Sequence, residues 1–380
     1  MADLFSKLAV GAMTLDHRVA MAPLTRMRAI APAYAPTDIM VEYYSQRASK
    51  GGLIITEATH ISQAARGAPD TPGIYTDAQV AGWHKVTDAI HAKGGLVVMQ
   101  LWHMGRLSHA EYQPDHGAPF APSAIAANAE VSLPDRSRVP CPTPRAYSTE
   151  DIAALIDTYV AAAKSAMSAG FDGVEIHAAN GYLLEQFLQS RTNTRTDQYG
   201  GSIENRCRIV LDIAQAPATA ISGAKVGIRL SPFGIANDSG EDDPFPLYSH
   251  LVKELDRIGL TYLHLLEPRA SGAGQKDVNH ENVPSAAKLF QPIWSSALIA
   301  AGNFSGESAT QMVAEGHADI IAFGRLFISN PDLPARLQMG AELTPYNRPT
   351  FYSQGPVGYV DYPPMKIKKT GAKGQRAANR

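Results

Sequence analysis

Eight short apolar runs recur along the chain with helical segments between them, and this repeat limits the possible folds more than any other feature. The runs cover residues 18–24, 52–59, 96–103, 173–178, 225–232, 262–267, 297–302 and 319–325. They are continuously apolar rather than alternating, which is typical of parallel strands that are covered on both faces. Eight strand-then-helix units with right-handed crossovers predict an α/β fold in the form of a closed TIM (β/α)8 barrel.

An open, doubly wound sheet is the alternative α/β architecture. No predicted strand leads into a Gly-x-Gly-x-x-Gly turn or a Gly-x-x-x-x-Gly-Lys loop, which disfavours that architecture. The length of 380 residues is enough for two average domains or for one large barrel with insertions. We interpret residues 1–364 as a single barrel domain.

Three segments fall outside the repeat. Residues 8–10 and 13–15 flank Gly11 and predict an N-terminal hairpin that acts as a lid on the bottom of the barrel. Residues 104–147 are rich in Pro, Ser and Ala and form a long insertion after the third strand, where they can cover a site. Residues 365–380 contain six Lys and Arg residues and no acid, which predicts a basic, flexible tail.

Charge, cysteine content and hydropathy argue against several classes of protein. A formal net charge of −2 gives no reason to expect a nucleic-acid partner. Cys141 and Cys207 form no Cys-x-x-Cys pair, which argues against an iron–sulfur cluster, a cysteine zinc site or a disulfide scaffold. No run approaches the ~18–20 apolar residues that span a bilayer, and the N-terminus lacks a signal-peptide core, so we expect a cytoplasmic protein without a membrane partner.

The fourth predicted strand ends in a polar cluster, His177-Ala-Ala-Asn180-Gly-Tyr182. Chemistry in such barrels collects at the carboxyl ends of the strands. His177 and Asn180 can each donate a hydrogen bond to one oxygen atom, and Tyr182 offers a proton with an ordinary pKa of about 10. The cluster therefore suits a reaction in which a carbonyl is held and a proton is delivered near it.

The other strand ends argue against several barrel chemistries. They carry no Lys for a Schiff base, and His177 has an amide and a phenol beside it rather than further metal ligands. We therefore predict no metal site. Glu57 and Glu267 are the candidate carboxylate pair for a glycosidase, but nothing in the sequence brings them together.

The remaining strand ends suit a phosphorylated, flat, polar ring. Gly302-Asn303 and Gly324-Arg325 end the last two strands, where barrels often bind phosphate. Gln100 can donate and accept at the edge of a heterocycle, and Arg229 is a fixed cation that favours a ring that is anionic when reduced. Flavin mononucleotide (FMN) meets these demands. A barrel that binds another phosphorylated metabolite without flavin remains the competing hypothesis, as does an interior ion pair between Arg229 and Glu57.

The sequence resembles the Old Yellow Enzyme family of FMN-dependent ene-reductases from Leu4 to Pro363. The motifs that carry the resemblance are MAPLTR at 21–26, ITEA at 55–58, QLWH at 100–103, TPRA at 143–146, GVEIHAANGYL at 173–183, NTRTDQYGGS at 193–202, GIRLS at 227–231, AFGR at 322–325 and NPD at 330–332. The resemblance implies a barrel that binds FMN non-covalently and takes hydride from NADPH or NADH. It then reduces the C=C bond of an enone or other electron-poor alkene, as a monomer or homodimer.

The same resemblance implies a role for each matching residue. The flavin contacts are Pro23, Leu24, Thr25, Ala58, Gln100 and Arg229, and the phosphate contacts are Gly302, Asn303, Gly324 and Arg325. His177 and Asn180 hold the carbonyl oxygen, flavin N5 delivers hydride to the β-carbon, and Tyr182 protonates the α-carbon. The substrate-pocket residues are Trp102, Tyr352, Tyr75 and Arg145. A nitrate-ester or nitro-compound reductase that uses the same pocket is the alternative function.

Two positions depart from the family pattern. Gly67-Ala68 stands where many relatives have Gly-Tyr, so we expect either an opened pocket or one that Tyr75 fills. Ser353 and Gln354 stand where relatives often have glycine, and because they lack its freedom at positive φ the path of that loop is expected to differ.

Overall fold

Eight parallel strands in the described part of the chain close into a barrel in a computed structural model that describes residues 2–268 and 283–365. The strands are β1 Val19–Met21, β2 Leu53–Ile55, β3 Leu96–Trp102, β4 Gly173–Ala178, β5 Val226–Leu230, β6 Tyr262–Leu266, β7 Ala297–Ala301 and β8 Ile320–Phe323. Each strand pairs with the next in chain order, and β8 returns to β1 through Ile321 opposite Val19. The predicted TIM barrel is confirmed.

Helices follow the strands and form the outer layer. They are α1 Asp38–Arg47, α2 Asp77–His91, α3 Thr149–Ser168, α4 Leu183–Leu188, α5 Ile203–Ile221, α6 Pro244–Ile258, α7 Ala286–Phe290, α8 Gly306–Ala314, α9 Arg325–Ser329 and α10 Leu333–Met339. Reciprocal capping boxes at Thr76 and Ser148 satisfy the first backbone N–H groups of α2 and α3. Gly259 ends α6 at φ 75°, a left-handed conformation that glycine adopts without steric cost.

The N-terminal hairpin covers the bottom of the barrel, as predicted. Its strands Leu8–Val10 and Met13–Leu15 pair antiparallel. Buried side chains from both strands of the hairpin pack with inward-facing barrel residues in one apolar cluster: Val10, Met13, Leu15, Ala20, Ala22, Leu53, Ile55, Val98, Tyr262, Leu266, Ile299, Ala301, Ile320 and Ala322. The hairpin thus closes the amino-terminal end of the barrel, and the carboxyl ends of the strands lie at the opposite end.

The insertion after β3 is built from short pieces that tertiary contacts hold in place. It contains a single 3-10 turn, Ala110–Tyr112, and a parallel pair of two-residue strands, Phe120–Ala121 and Arg145–Ala146. Its centre is an antiparallel hairpin, Glu130–Ser132 with Arg138–Pro140, which we call the lid hairpin. As predicted, the insertion lies on the carboxyl side of the barrel.

Seven of the eight strands are shorter than their apolar runs, and the largest differences are at 18–24 and 52–59. The run at 52–59 divides into β2 and a separate two-residue strand, Thr59–His60, with irregular backbone at 56–58 between them. Within this gap, the Glu57 carboxylate accepts hydrogen bonds from Arg26 N and Tyr44 Oη. The run at 319–325 ends early because Arg325 begins α9. Within the described ranges, no helix has both the length and the apolar character needed to cross a bilayer. Residues 366–380 of the predicted basic tail lie outside the described residues.

Candidate active site

A cavity of about 740 Å³ opens at the carboxyl end of the barrel, and residues at the ends of all eight strands line it. The lining includes nearly every residue that the sequence predicted for the site: Pro23, Leu24, Thr25, Ala58, Gln100, Trp102, His177, Asn180, Tyr182, Arg229, Gly302, Asn303, Gly324, Arg325 and Tyr352. The fold therefore brings the catalytic and cofactor candidates, which the sequence spreads over some 330 positions, to one concave surface.

Two described residues that were predicted to line the substrate pocket, Tyr75 and Arg145, lie outside this lining. Tyr75 is placed just before α2, where its backbone N–H bonds to Gln79 Oε1 at 2.9 Å. Arg145 forms an ion pair with Asp115 at 2.9 Å and lies over the ring of Phe120. Its guanidinium therefore binds other residues of the insertion. The prediction that these two side chains shape the pocket is not supported by their positions.

His177 is held in one tautomer by the backbone. The N–H of Ala179 donates to His177 Nδ1 at 3.3 Å, so the ring proton resides on Nε2. Burial, together with the nearby Arg229 and His264, lowers the pKa of His177 well below its ordinary value. The ring is therefore neutral at physiological pH and offers a single N–H donor.

Asn180 and Tyr182 lie on a tight turn between β4 and α4. Asn180 has φ 58° and Gly181 has φ 76°, both in the left-handed region that Asn and Gly tolerate best. In the described part of the chain the Asn180 side chain makes no hydrogen bond, although it lines the cavity. Its amide is thus available to a ligand.

The Tyr182 ring is fixed by aromatic neighbours. Its centroid lies 4.9 Å from that of Trp102 and 5.0 Å from that of His177, edge to face in both cases. Burial raises the pKa of Tyr182, and the nearby Tyr352 raises it further. The phenol therefore keeps its proton throughout the physiological range and can act as a donor.

Gln100 and Arg229 surround a buried carboxylate to which the sequence pattern assigned no role. Gln100 Nε2 donates to Glu175 Oε1 at 2.7 Å, and His264 Nδ1 lies 2.8 Å from Glu175 Oε2. Burial alone raises the pKa of Glu175, but His264 and Arg229 reverse this and hold the pKa below its usual value. Because its NH2 is engaged, Gln100 presents its carbonyl oxygen to the cavity, which suits the N–H of an imide.

The postulated ion pair between Arg229 and Glu57 is not formed. Glu57 is bound instead by Arg26 N and Tyr44 Oη, and burial raises its pKa to about 7. Arg229 is buried, and its Nε lacks a hydrogen-bond partner among the described residues. A buried guanidinium N–H at a cavity wall is unfavourable unless a ligand satisfies it, and this is an independent indication of a polar cofactor.

The ends of β7 and β8 form an anion cradle. Gly302 has φ 136° and Asn303 φ 52°, and the cavity is also lined by Gly306, the first residue of α8. Arg325 Nη2 donates to Asn303 Oδ1 at 2.9 Å. Backbone N–H groups at glycine turns, a helix N-terminus and a guanidinium together suit a phosphate. The phosphate cradle, the Gln100 oxygen and the orphaned Arg229 N–H fit FMN.

A TIM barrel with a phosphate cradle, the Gln100 oxygen and the Arg229 N–H around one cavity indicates a flavin-dependent oxidoreductase. Comparison with known proteins supports this class. A sequence profile of the NADH:flavin oxidoreductase / NADH oxidase family matches residues 3–344. The chain therefore belongs to this family, the Old Yellow Enzymes. It is an oxidoreductase that uses non-covalently bound FMN and a nicotinamide.

Relatives match the chain over most of its length. Putative 12-oxophytodienoate reductase 4 of Oryza sativa subsp. japonica is 45% identical over 366 residues, 96% of this chain and 93% of the relative. Flavin oxidoreductase hxnT of Emericella nidulans is 45% identical over 379 residues, 95% and 97% of the two chains. Morphinone reductase in complex with tetrahydroNAD has 45% identity and a TM-score of 0.89, with 96% and 98% covered. The Old Yellow Enzyme homologue from Zymomonas mobilis has 40% identity and a TM-score of 0.90, with 95% and 99% covered.

Several lining residues could not be found from the sequence. They are Arg26, Met27, Met104, Leu107, Asn237, Phe304, Tyr346, Phe351 and the lid-hairpin residues Glu130, Val131 and Ser132. Most lie in loops without periodicity, so nothing local indicates which way they face. Asn237 is an exception, since Asn in an Asn-Asp-Ser-Gly stretch after β5 marks a turn at the carboxyl end of a strand. It has φ 59° and hydrogen-bonds to Asn180 O at 2.9 Å.

Gly67 and Ala68, the first departure from the family pattern, lie at the cavity wall. Ala68 lines the cavity, and Tyr75 does not fill the space. At the other departure, Gln354 Nε2 donates to Met27 O at 2.8 Å and to Asp70 Oδ2 at 2.9 Å. This side chain therefore connects the C-terminal loop to the loops that follow β1 and β2.

Arg136, at the tip of the lid hairpin, connects the lid to the barrel. Its guanidinium donates to Asp70 Oδ2 at 2.6 Å and to Tyr352 O at 2.8 Å. We expect Arg136→Ala to raise the KM for substrate about two- to fivefold, because a half-exposed ion pair contributes at most about 1 kcal/mol. Arg145→Ala, which breaks a comparable pair of the insertion away from the cavity, is the control. Equal KM changes in the two variants would contradict a specific role of Arg136.

The phosphate cradle makes a prediction about cofactor affinity. Arg325→Ala should weaken FMN binding about ten- to a hundredfold, since hydrogen bonds to a charged group contribute about 1.5–3 kcal/mol. The dissociation constant is measured from the fluorescence of released FMN. Arg257→Ala, on the exposed surface of α6, removes a cation from a salt bridge with Glu254 and should leave the constant unchanged. FMN affinity that is unaffected in both variants would contradict the phosphate assignment.

Proposed function

We propose that the protein reduces the C=C bond of α,β-unsaturated carbonyl compounds. The observation that carries this proposal is the arrangement of three donors at one side of the cavity: the His177 Nε2–H, the free Asn180 amide and the Tyr182 phenol. Two of them suit a carbonyl oxygen, and the third is a proton source beside it. Bound FMN, reduced by a nicotinamide, supplies the hydride.

His177 and Asn180 act on the carbonyl oxygen. Negative charge develops on this oxygen when hydride adds to the β-carbon, and two preorganised N–H donors stabilise that charge more in the transition state than in the ground state. The neutral state of His177 suits this role because its single N–H is aimed by the Ala179 contact rather than free to reorient.

Tyr182 delivers the proton to the α-carbon. Its raised pKa keeps the phenol protonated until carbanion character develops on the substrate. The aromatic contacts with Trp102 and His177 hold the hydroxyl-bearing ring next to the carbonyl donors. Hydride and proton thus reach adjacent carbons of the former double bond.

The shape and lining of the cavity favour the binding of bulky substrates. Ala68 leaves one wall open, and the surrounding side chains Trp102, Met104 and Leu107 are apolar. We therefore propose cyclic or substituted enones as the preferred class. Because the ends of all eight strands of one chain line the cavity, we propose one site per chain, whether the protein is a monomer or a homodimer.

A substrate panel tests the proposal. Purified protein, reduced anaerobically with NADPH or NADH, is mixed with cyclic enones, nitro compounds and nitrate esters, and reoxidation of the flavin is followed by its absorbance. We expect enones to reoxidise the flavin fastest, with saturated ketones as products. Reoxidation by nitrate esters or nitro compounds but not by enones would favour the alternative reductase function. A colourless protein that takes up no FMN would contradict both.

A further inference from the structure

The turn that carries Asn180 and Tyr182 is held by side chains on all of its central backbone groups. Asn180 N donates to Ser231 Oγ at 2.8 Å, and Asn180 O accepts from Asn237 Nδ2 at 2.9 Å. Gly181 N donates to Glu185 Oε2, and Gly181 O accepts from Gln186 Nε2 at 2.8 Å. Two consecutive left-handed residues are thus fixed by four side chains rather than by regular secondary structure.

Glu185 connects two of these four contacts. While one of its oxygens binds Gly181 N, the other accepts from Ser231 Oγ at 2.6 Å, the same hydroxyl that receives the Asn180 N–H. Tyr248 Oη donates to that second oxygen at 2.9 Å. A single carboxylate therefore governs the position of both backbone N–H groups of the turn.

A carboxylate at this buried position is expected to destabilise the fold unless hydrogen-bond donors compensate it. Glu185 is fully buried on α4 and does not line the cavity, and burial raises its pKa to about 7. Buried acids destabilise a fold unless several donors compensate them, and here one backbone and two side-chain donors do so. A position that only filled the core would be served better by Leu or Met.

The turn also has no room to adjust. A Cβ at Gly181 would lie 2.6 Å from Ala236 O, so the turn packs directly on the loop after β5. Removing the acceptor for Gly181 N leaves a buried donor unsatisfied, and the turn can find another partner only by moving away from its close contact with Ala236 O. His177 is positioned separately, by β4 and by Ala179 N, and does not depend on the Glu185 carboxylate.

We propose that Glu185 is a positioning residue for the reduction, which sets the distance of the Asn180 amide and the Tyr182 phenol from the donor on His177. This inference rests on the proposed function of those three residues. In this proposal α4 does more than pack against the core. Glu185, in the first helical turn of α4, fixes the preceding loop that carries Asn180 and Tyr182. Displacement of a reacting group by about 1 Å can cost about a hundredfold in rate.

Glu185→Leu is the first test, because Leu fits an apolar core but accepts no hydrogen bond. We expect the dissociation constant for a substituted phenol, titrated into the oxidised holoenzyme as a mimic of the enolate, to rise about tenfold. The rate constant for flavin reoxidation by an enone should fall about ten- to a hundredfold. The FMN dissociation constant should stay within about twofold of the wild-type value, since the phosphate cradle lies on β7 and β8.

Three further variants separate positioning from simple stability. Glu185→Gln keeps one acceptor for Gly181 N and should recover part of the phenol affinity. Ser231→Ala removes the acceptor for Asn180 N and one donor to Glu185 but keeps the Glu185 contact with Gly181 N, and it tests the proposal even if Glu185→Leu fails to fold. Tyr248→Phe removes a distal donor to the same carboxylate and should change phenol affinity less than about twofold.

The proposal is overturned if Glu185→Leu and Ser231→Ala bind phenol like the wild type. It is also overturned if the FMN and phenol dissociation constants and the Tm of Glu185→Leu change together, because that pattern indicates a general loss of structure. Failure of the proposed function has a different signature: wild-type holoenzyme would then bind phenol yet reduce no enone, while the ratio of phenol affinities among the variants would still report on Glu185.

Discussion

Tyr182→Phe should slow flavin reoxidation by an enone about 10²- to 10⁴-fold, the range that a positioned general acid contributes. The reduction of bound FMN by NADPH or NADH should change less than about twofold, because that step needs no proton from Tyr182. Phe keeps the edge-to-face contacts with Trp102 and His177, so the pocket wall stays in place. Anaerobic stopped-flow absorbance resolves the two half-reactions.

Tyr159→Phe is the matched control for Tyr182→Phe. Its hydroxyl is also buried, lies on α3 away from the cavity and has no hydrogen-bond partner among the described residues. We expect both half-reactions to be unaffected in this variant. If Tyr182→Phe slowed the two half-reactions equally, a proton-donor role for Tyr182 would be excluded in favour of a general effect on the site.

The pH dependence of the enone step follows from the direction of the Tyr182 pKa shift. A phenol whose pKa is raised above 10 loses its proton only at higher pH than an ordinary tyrosine. The reoxidation rate should therefore show no decline between pH 7 and 9 from loss of this donor. A decline with a midpoint below pH 9 that is present in the wild type and absent in Tyr182→Phe would contradict the raised pKa.

The barrel could be predicted because the signals for it are local and repeated. A parallel strand buried on both faces must be apolar throughout, so each of β1 to β8 is visible as a run in the sequence, and glycines or capping residues mark the helices between them. Once the strands are in order, the barrel itself places their carboxyl ends together. For this reason the order of the strands is enough to assign His177, Gln100, Arg229 and Gly302 to one site.

Side chains whose direction depends on long-range contacts could not be predicted. Arg145 lies in an aperiodic insertion, and only the folded chain shows that Asp115 and Phe120 take up its guanidinium. Tyr75 was expected to compensate for Ala68, but its backbone contact with Gln79 belongs to the start of α2. The local sequence therefore identifies the chemical groups of these side chains but not the direction in which the side chains point.

Buried acids could not be predicted for a different physical reason. Glu175 and Glu185 sit inside apolar stretches, where an acid normally indicates an interruption of a pattern rather than part of a site. Their roles become visible only when their donors are known: Gln100 and His264 for Glu175, and Ser231 and Tyr248 for Glu185. These donors come from other strands and helices, so no window of sequence contains both partners.

Removal of the carbonyl donors should have the second large effect. His177→Phe keeps a ring but removes the Nε2–H, and Asn180→Gly removes the amide while tolerating φ 58°. Each should lower kcat/KM for an enone about 10²- to 10³-fold, the cost of one donor to a developing oxyanion. Each should also weaken phenol binding, measured by titration of the flavin absorbance. Phenol affinity that is unchanged in both variants would exclude the carbonyl grip.

The double variant shows whether the two donors act on one oxygen. Donors that share an acceptor are coupled, so the combined loss in kcat/KM should be smaller than the product of the single losses.

The charge of His177 can be tested by the phenol titration at different pH values. Its pKa lies well below 6.5, so the ring stays neutral as pH falls from 8 to 6, and phenol affinity should carry no His177-dependent increase across that range. An increase below pH 6.5 that His177→Phe abolishes would mean that an imidazolium, rather than the neutral N–H fixed by Ala179, holds the oxygen.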